Sequence, residues 1–164
     1  MYKVNSKVMH ALHGLGSIES IEEKEILGSV STFAVVAFEK MQVMVNLQSR
    51  NSSIRLPISA EEVEGVMDHL RDCQPELPNN HNQRHKMILE LIKAGDVEKT
   101  CLVVKGLTLL SQKRDLAARD AKALEQSMRL LSEELGNAVG SEPEALHETL
   151  TQTCLENEKE LVTA

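Results

Sequence analysis

The sequence predicts an α+β chain: a small, strongly bent β-sheet or SH3-like barrel over residues 1–57, then a compact all-α domain of about five helices over 58–164. Three observations carry this. Short β-branched runs recur about every ten residues before Pro57. After Pro57 the apolar residues recur at helical spacing. The 164 residues, 41% hydrophobic and 26% charged, are enough for one domain or two small ones with a buried core.

The β runs are Lys7-Val8-Met9, Ser17 to Ile21, Thr32 to Phe38 and Val43-Met44-Val45, punctuated by Gly14, Gly16, Gly28 and Asn51. Phe33 to Phe38 is apolar throughout, which predicts a central strand buried on both faces. Ser59-Ala60-Glu61-Glu62 reads as a capping box, with Ile58 and Val63 as its hydrophobic staple, opening a helix over about 60–72. A linker follows over about 73–80, marked by Pro75, Pro78, Asn79 and Asn80. Met87, Ile88, Leu91 and Ile92 mark the second helix. Gly95-Asp96 reads as a left-handed C-cap followed by a new N-cap, and Val97 to about Leu110 as the third helix. Leu124 to Leu135 marks a fourth, ending near Gly136. Ser141-Glu142-Pro143-Glu144 opens a fifth, with a frayed acidic tail after about 156.

The composition excludes several functions. With no Trp, one Tyr and two Phe, stacking on bases is nearly unavailable. The net charge of −7 argues against a surface that binds nucleic acid everywhere. Residues 1–57 hold six Lys/Arg against five Asp/Glu, and 58–164 hold twelve against twenty. Within the second half, a basic island at 81–122 (net +4) lies between acidic stretches at 58–80 (−5) and 123–164 (−7). Only this island could hold a phosphate backbone. No apolar run is long enough to span a membrane, and no signal-peptide pattern opens the chain. Cys73, Cys101 and Cys154 are odd in number and widely spaced, which fits a reduced, cytoplasmic protein rather than a disulfide framework.

No pattern points to an enzyme, a cofactor, a metal or a small-molecule substrate. Gly14-Leu15-Gly16 lacks the third glycine and the following helix of a dinucleotide loop. His81/His85 and His10/His13 lack further ligands at usual spacing. Glu22-Glu23-Lys24-Glu25 reads as a solvated strand end, and no nucleophile sits in an elbow context.

The ordered set His13-Gly14-Leu15-Gly16-Ser17-Ile18, Ile21 to Gly28, Val43-Met44-Val45, Ile54-Arg55 with Ile58-Ser59 and Glu62, Ala94-Gly95-Asp96, Val103-Val104-Lys105 with Leu107, and Leu130 to Leu135 resembles the CarD-like (CdnL-type) bacterial transcription regulators over about residues 2–140. The N-terminal part resembles the RNA-polymerase-interacting domain of the transcription-repair coupling factor Mfd. The resemblance implies a Tudor-like N-terminal domain that docks on the polymerase β subunit, and a helical domain that contacts promoter DNA at the upstream edge of the melted region. It implies polymerase contacts at Lys24, Met44 on the docking strand, and Arg55 beside it. It implies DNA contacts at His81, Arg84, Lys86, Lys93, Lys99 and Lys105, with Arg84 and Lys86 foremost.

The chain departs from the family pattern where the family element reads WNRRYR. Here His81-Asn82-Gln83-Arg84-His85-Lys86 replaces the tryptophan wedge by His and one arginine by Gln. Both changes weaken DNA contact. Asn46 and Ala117 stand where the family has Pro and a capping Ser. The expected function is a non-catalytic regulator that binds polymerase and engages promoter DNA weakly, modulating open-complex stability. The alternative is an adaptor whose acidic helical domain binds another protein.

Overall fold

Before Pro57 the β-branched runs pair into one antiparallel five-stranded sheet in the order β4-β3-β2-β1-β5. The strands are β1 (Lys7–His10), β2 (Gly14–Ile26), β3 (Ser29–Ala37), β4 (Gln42–Asn46) and β5 (Ile54–Arg55). The computed structural model describes residues 2–49 and 53–163, with side chains up to residue 157. Asn51, read as a strand punctuator, lies outside the described residues. The α+β reading is borne out.

A closed barrel is not seen: among the described residues no ladder joins β4 to β5. The sheet nevertheless curls, since a cavity of about 220 Å³ is lined by His10 and Ser53 together with Val43 to Asn46 on β4. Val8, Ile18, Ala34, Val36, Val45 and Ile54 form the core inside this curl. Central strand β3 buries one face only. Ala34 and Val36 are fully buried while Phe33, Val35 and Ala37 are half-covered, so the apolar run does not signify burial on both sides.

Two glycine readings change. β2 begins at Gly14, so Gly14 and Gly16 lie within the strand rather than in a turn between strands. A Cβ on Gly16 would stand 2.7 Å from Phe38 Cε1 and 2.9 Å from the Ala37 carbonyl oxygen, so the glycine permits close packing across the ladder. Glu22 to Glu25 are also inside β2, paired with β3 through Phe33 to Val30.

After Pro57 the chain forms a separate helical unit, 58–164. A short 3₁₀ turn (Ala60–Glu62) leads into α1 (Val63–Asp72), followed by α2 (His81–Lys93), α3 (Val97–Lys113), α4 (Ala118–Val139) and α5 (Pro143–Thr163). Ser59 makes no side-chain cap bond, so the expected capping box is not formed. Entry into the helices is held instead by buried Glu134, whose Oε2 accepts the Ile58 N–H at 2.9 Å. Ile58 and Val63 do pack into one core cluster, as a staple requires.

Gly95 has φ +69°, and the Asp96 side chain accepts the Glu98 N–H at 2.7 Å, which matches the cap pair read from the sequence. α4 runs through Gly136 rather than ending there, and stops at left-handed Gly140. α5 continues to Thr163, past the fraying expected after 156; the side chains of 158–164 lie outside the described residues. Among the described residues no helix is long and apolar enough to cross a membrane.

Two glycines let segments approach closely. A Cβ on Gly106 would meet Leu77 Cδ1 at 2.7 Å, which explains a residue that is unfavourable in mid-helix. A Cβ on Gly136 would meet the Ser141 carbonyl oxygen at 2.6 Å. The helices bury two clusters, one around Leu70, Val104, Leu131 and Leu150, the other around Ile88, Ile92, Val103 and Leu107.

Candidate functional site

In the N-terminal unit, the ladder decides which side chains share a face. Lys24 pairs with Ser31, and Met44 with Val35, two places further along the same side of β3. Lys24 and Met44 therefore lie on one face, opposite core residues Ala34 and Val36. Four residues and two strand spacings put them about 16 Å apart. Both are exposed, and Met44 sits on edge strand β4. Lys24 has Glu22 at 4.0 Å, a solvated pair that leaves its charge available.

Arg55 is not beside Met44 by pairing. It is on β5, at the opposite end of the sheet order, where its Nη1 donates to the Leu56 carbonyl at 3.2 Å. Next to it on β1, His10 anchors the β1–β2 turn: its Nδ1 accepts the N–H groups of Leu12 (3.0 Å) and His13 (3.2 Å). Burial, then the neighbouring His13, pushes the His10 imidazole below its usual range.

In the helical unit, the expected DNA residues divide by burial. Arg84 is not on the surface. It is 1% exposed, and all five of its N–H groups have acceptors. Nε faces both Asp120 oxygens at 3.2 Å, Nη2 meets Asp120 Oδ2 and His81 Nδ1 at 2.8 Å each, and Nη1 donates to the Pro78 (3.1 Å) and Asn79 (3.0 Å) carbonyls. A guanidinium so engaged cannot reach a phosphate without breaking a buried ion pair, so Arg84 is corrected from a phosphate contact to a clamp between α2 and α4.

Lys105 is corrected likewise. It is buried, and its Nζ donates to the Arg71 carbonyl at the C-terminal end of α1, where partial negative charge favours a cation.

His81 is exposed at the first turn of α2, and its tautomer follows from Arg84. A guanidinium has no acceptor, so His81 Nδ1 must accept and the ring proton sits on Nε2. Lys86, Lys93 and Lys99 are exposed. Lys86 and Lys93 are seven apart and share a helix face, but Lys93 ends α2, about 18 Å along the axis from His81, and Lys99 lies in the first turn of α3. Lys86, five residues on, points about 140° around the helix from His81, so the structure does not place those two side chains on one face either.

Sequence reasoning missed Arg119. Its Nη2 donates to Asn82 Oδ1 at 3.1 Å, which sets an exposed cation from α4 against the start of α2, with exposed Lys122 one turn further on. The signal was the alanine-rich run Ala117 to Ala123, which favours a helix starting well before Leu124. Lys86 lies one turn beyond Asn82 on the same face, so Lys86, Arg119 and Lys122 line the first two turns of α2 and α4, with His81 at the N-terminus of α2, where backbone dipoles also favour an anion.

Among the described residues no group of three or more His, Cys, Asp or Glu is placed to hold a metal. The three cysteines are free thiols. Burial pushes the Cys154 thiol up to about 12 and Cys101 higher, with half-buried Cys73 also raised.

Residues 2–58 match the CarD-like/TRCF RID domain family, and residues 65–151 match the CarD, C-terminal domain family. The chain is similar to a Bacillus subtilis (strain 168) protein named "Putative transcription factor YdeB". The two are 26% identical over 138 residues, covering 82% of this chain and 90% of that protein. A curled sheet followed by a helical bundle, each matched by its own half of one domain pair, leads to one conclusion: the chain belongs to the CarD family of transcription regulators.

Proposed function

We propose that the sheet docks on the β subunit of RNA polymerase while the helical unit makes a weak contact with promoter DNA, and that together they modulate the stability of the open complex. The single observation that carries the reading is the placement of Lys24 and Met44 on one exposed face that runs out to a sheet edge unpaired among the described residues. Such an edge offers backbone donors and acceptors to another strand, with alternate side chains supplying specificity. The domain type matched by residues 2–58 supports polymerase as the partner.

The DNA contact rests on His81, Lys86, Arg119 and Lys122, with Lys93 and Lys99 as outlying cations. An imidazole in place of the family tryptophan cannot wedge a base step as an indole does. Held with its proton on Nε2, His81 offers a hydrogen-bond donor instead. The second reading, a protein adaptor, is favoured by one observation: Arg84 and Lys105 withdraw two charges from the only basic segment.

The lifetime of promoter open complexes tests the proposal. The chain should change it at micromolar concentration, and Lys24→Glu should remove the change. Lys86→Glu with Arg119→Glu should lower the salt dependence of the DNA contribution by about one unit of log–log slope per lost cation. An unchanged lifetime contradicts the regulator reading. A polymerase effect without any salt-sensitive DNA contribution favours the adaptor.

A further inference from the structure

The hairpin joining β2 to β3 ends in a two-residue turn, Leu27-Gly28, closed by the Ile26–Ser29 pair. Both turn residues have positive φ, +52° and +82°. A turn of this hand suits Asn-Gly, and a leucine there is disfavoured because its Cβ crowds the following carbonyl. Leu27 is also fully exposed, so the fold gains no burial from it. Ile26 and Val30 beside it are more than half exposed. By register they lie on opposite faces of the ribbon, Ile26 on the face of Lys24 and Val30 opposite Glu25.

The ribbon therefore ends in an apolar knob, against both local backbone preference and solubility. A backbone outlier of this kind points to a role outside the fold.

We propose that this knob inserts into an apolar socket, rimmed by Lys or Arg, on RNA polymerase. The inference rests on the docking reading above and extends it from the Lys24–Met44 face to the hairpin tip. Charge selects the socket. The stem just behind the knob exposes Glu22, Glu23 and Glu25 against a single Lys24, which repels phosphate backbones and anionic lipid and complements a basic rim.

Binding of the full chain to core polymerase tests this, with the thermal midpoint of each variant measured alongside. Leu27→Asn restores the residue the turn prefers, so its midpoint should equal or exceed that of the unsubstituted chain. Its affinity for polymerase should fall about tenfold or more, as expected for a leucine buried on binding. Leu27→Met should retain affinity within about threefold. Glu23→Lys with Glu25→Lys should weaken binding further at low salt than at high salt. If the unsubstituted chain binds and Leu27→Asn binds equally well, the knob is overturned while docking stands. A lowered midpoint for Leu27→Asn overturns the argument from strain. No binding by the unsubstituted chain overturns docking itself.

Discussion

Replacing Asp120 by Asn removes the charge opposite Arg84 while keeping the side chain's shape. Both partners are almost wholly buried, at 2% and 4% side-chain exposure. The carboxylate receives three of the contacts that satisfy the guanidinium, from Nε twice and from Nη2. An amide offers one acceptor oxygen and turns an N–H₂ donor toward groups that can only donate. The guanidinium would be left buried without its counter-charge, a loss of about 3–5 kcal/mol. For a unit of about 100 residues this lowers the melting midpoint by roughly 12–25 °C. Urea unfolding followed by helical circular dichroism reads the loss directly. An apolar double variant, Arg84→Met with Asp120→Leu, should recover most of it, because no lone charge remains. A loss under about 0.5 kcal/mol for Asp120→Asn would refute the clamp and return Arg84 to the surface set.

Three further outcomes are expected. Gly136→Ala should destabilise by about 1–3 kcal/mol despite better helix propensity, since its Cβ meets a backbone oxygen; Gly65→Ala, with open space around it in α1, should stabilise by up to about 1 kcal/mol. A raised urea midpoint for Gly136→Ala would contradict the close approach, and a lowered one for Gly65→Ala would contradict the open space. His10 titrates below its usual 6.5 in the folded state, so the unfolded chain binds protons more readily, and stability of the N-terminal unit should fall as pH drops through 6.5. A flat profile between pH 7.5 and 5.5 would contradict this. In the native protein, Ellman's reagent should modify Cys73 alone and slowly, with Cys101 and Cys154 reacting only in denaturant, because thiols that are buried and raised supply almost no thiolate.

The order of elements was legible because β-branched runs and helical stripes are local signals. What the sequence could not display were consequences of long-range pairing. Arg84 reads as one more cation in a basic run until Asp120, 36 residues away, is seen to close on it. Lys105 reads the same way until α1 ends against it. Gly136 suggests a helix stop when read alone, whereas the returning chain at Ser141 is what requires it. Phe33 to Phe38 looks buried on both faces because apolar content does not reveal that one face of a five-stranded sheet stays open. The residues proposed for docking were partly legible: Lys24 and Met44 could be named by resemblance, but only the register puts them on one face, and Arg55 lies on β5, which among the described residues is not paired with their strands.

The central claim, that the curled sheet is a polymerase-docking module, is tested most directly by the equilibrium affinity of the intact chain for core RNA polymerase, measured alongside Lys24→Glu. Saturable binding is expected at micromolar concentration or tighter at moderate salt, weakened about tenfold or more by the charge reversal. No saturable binding, or binding that Lys24→Glu leaves unchanged, would contradict it.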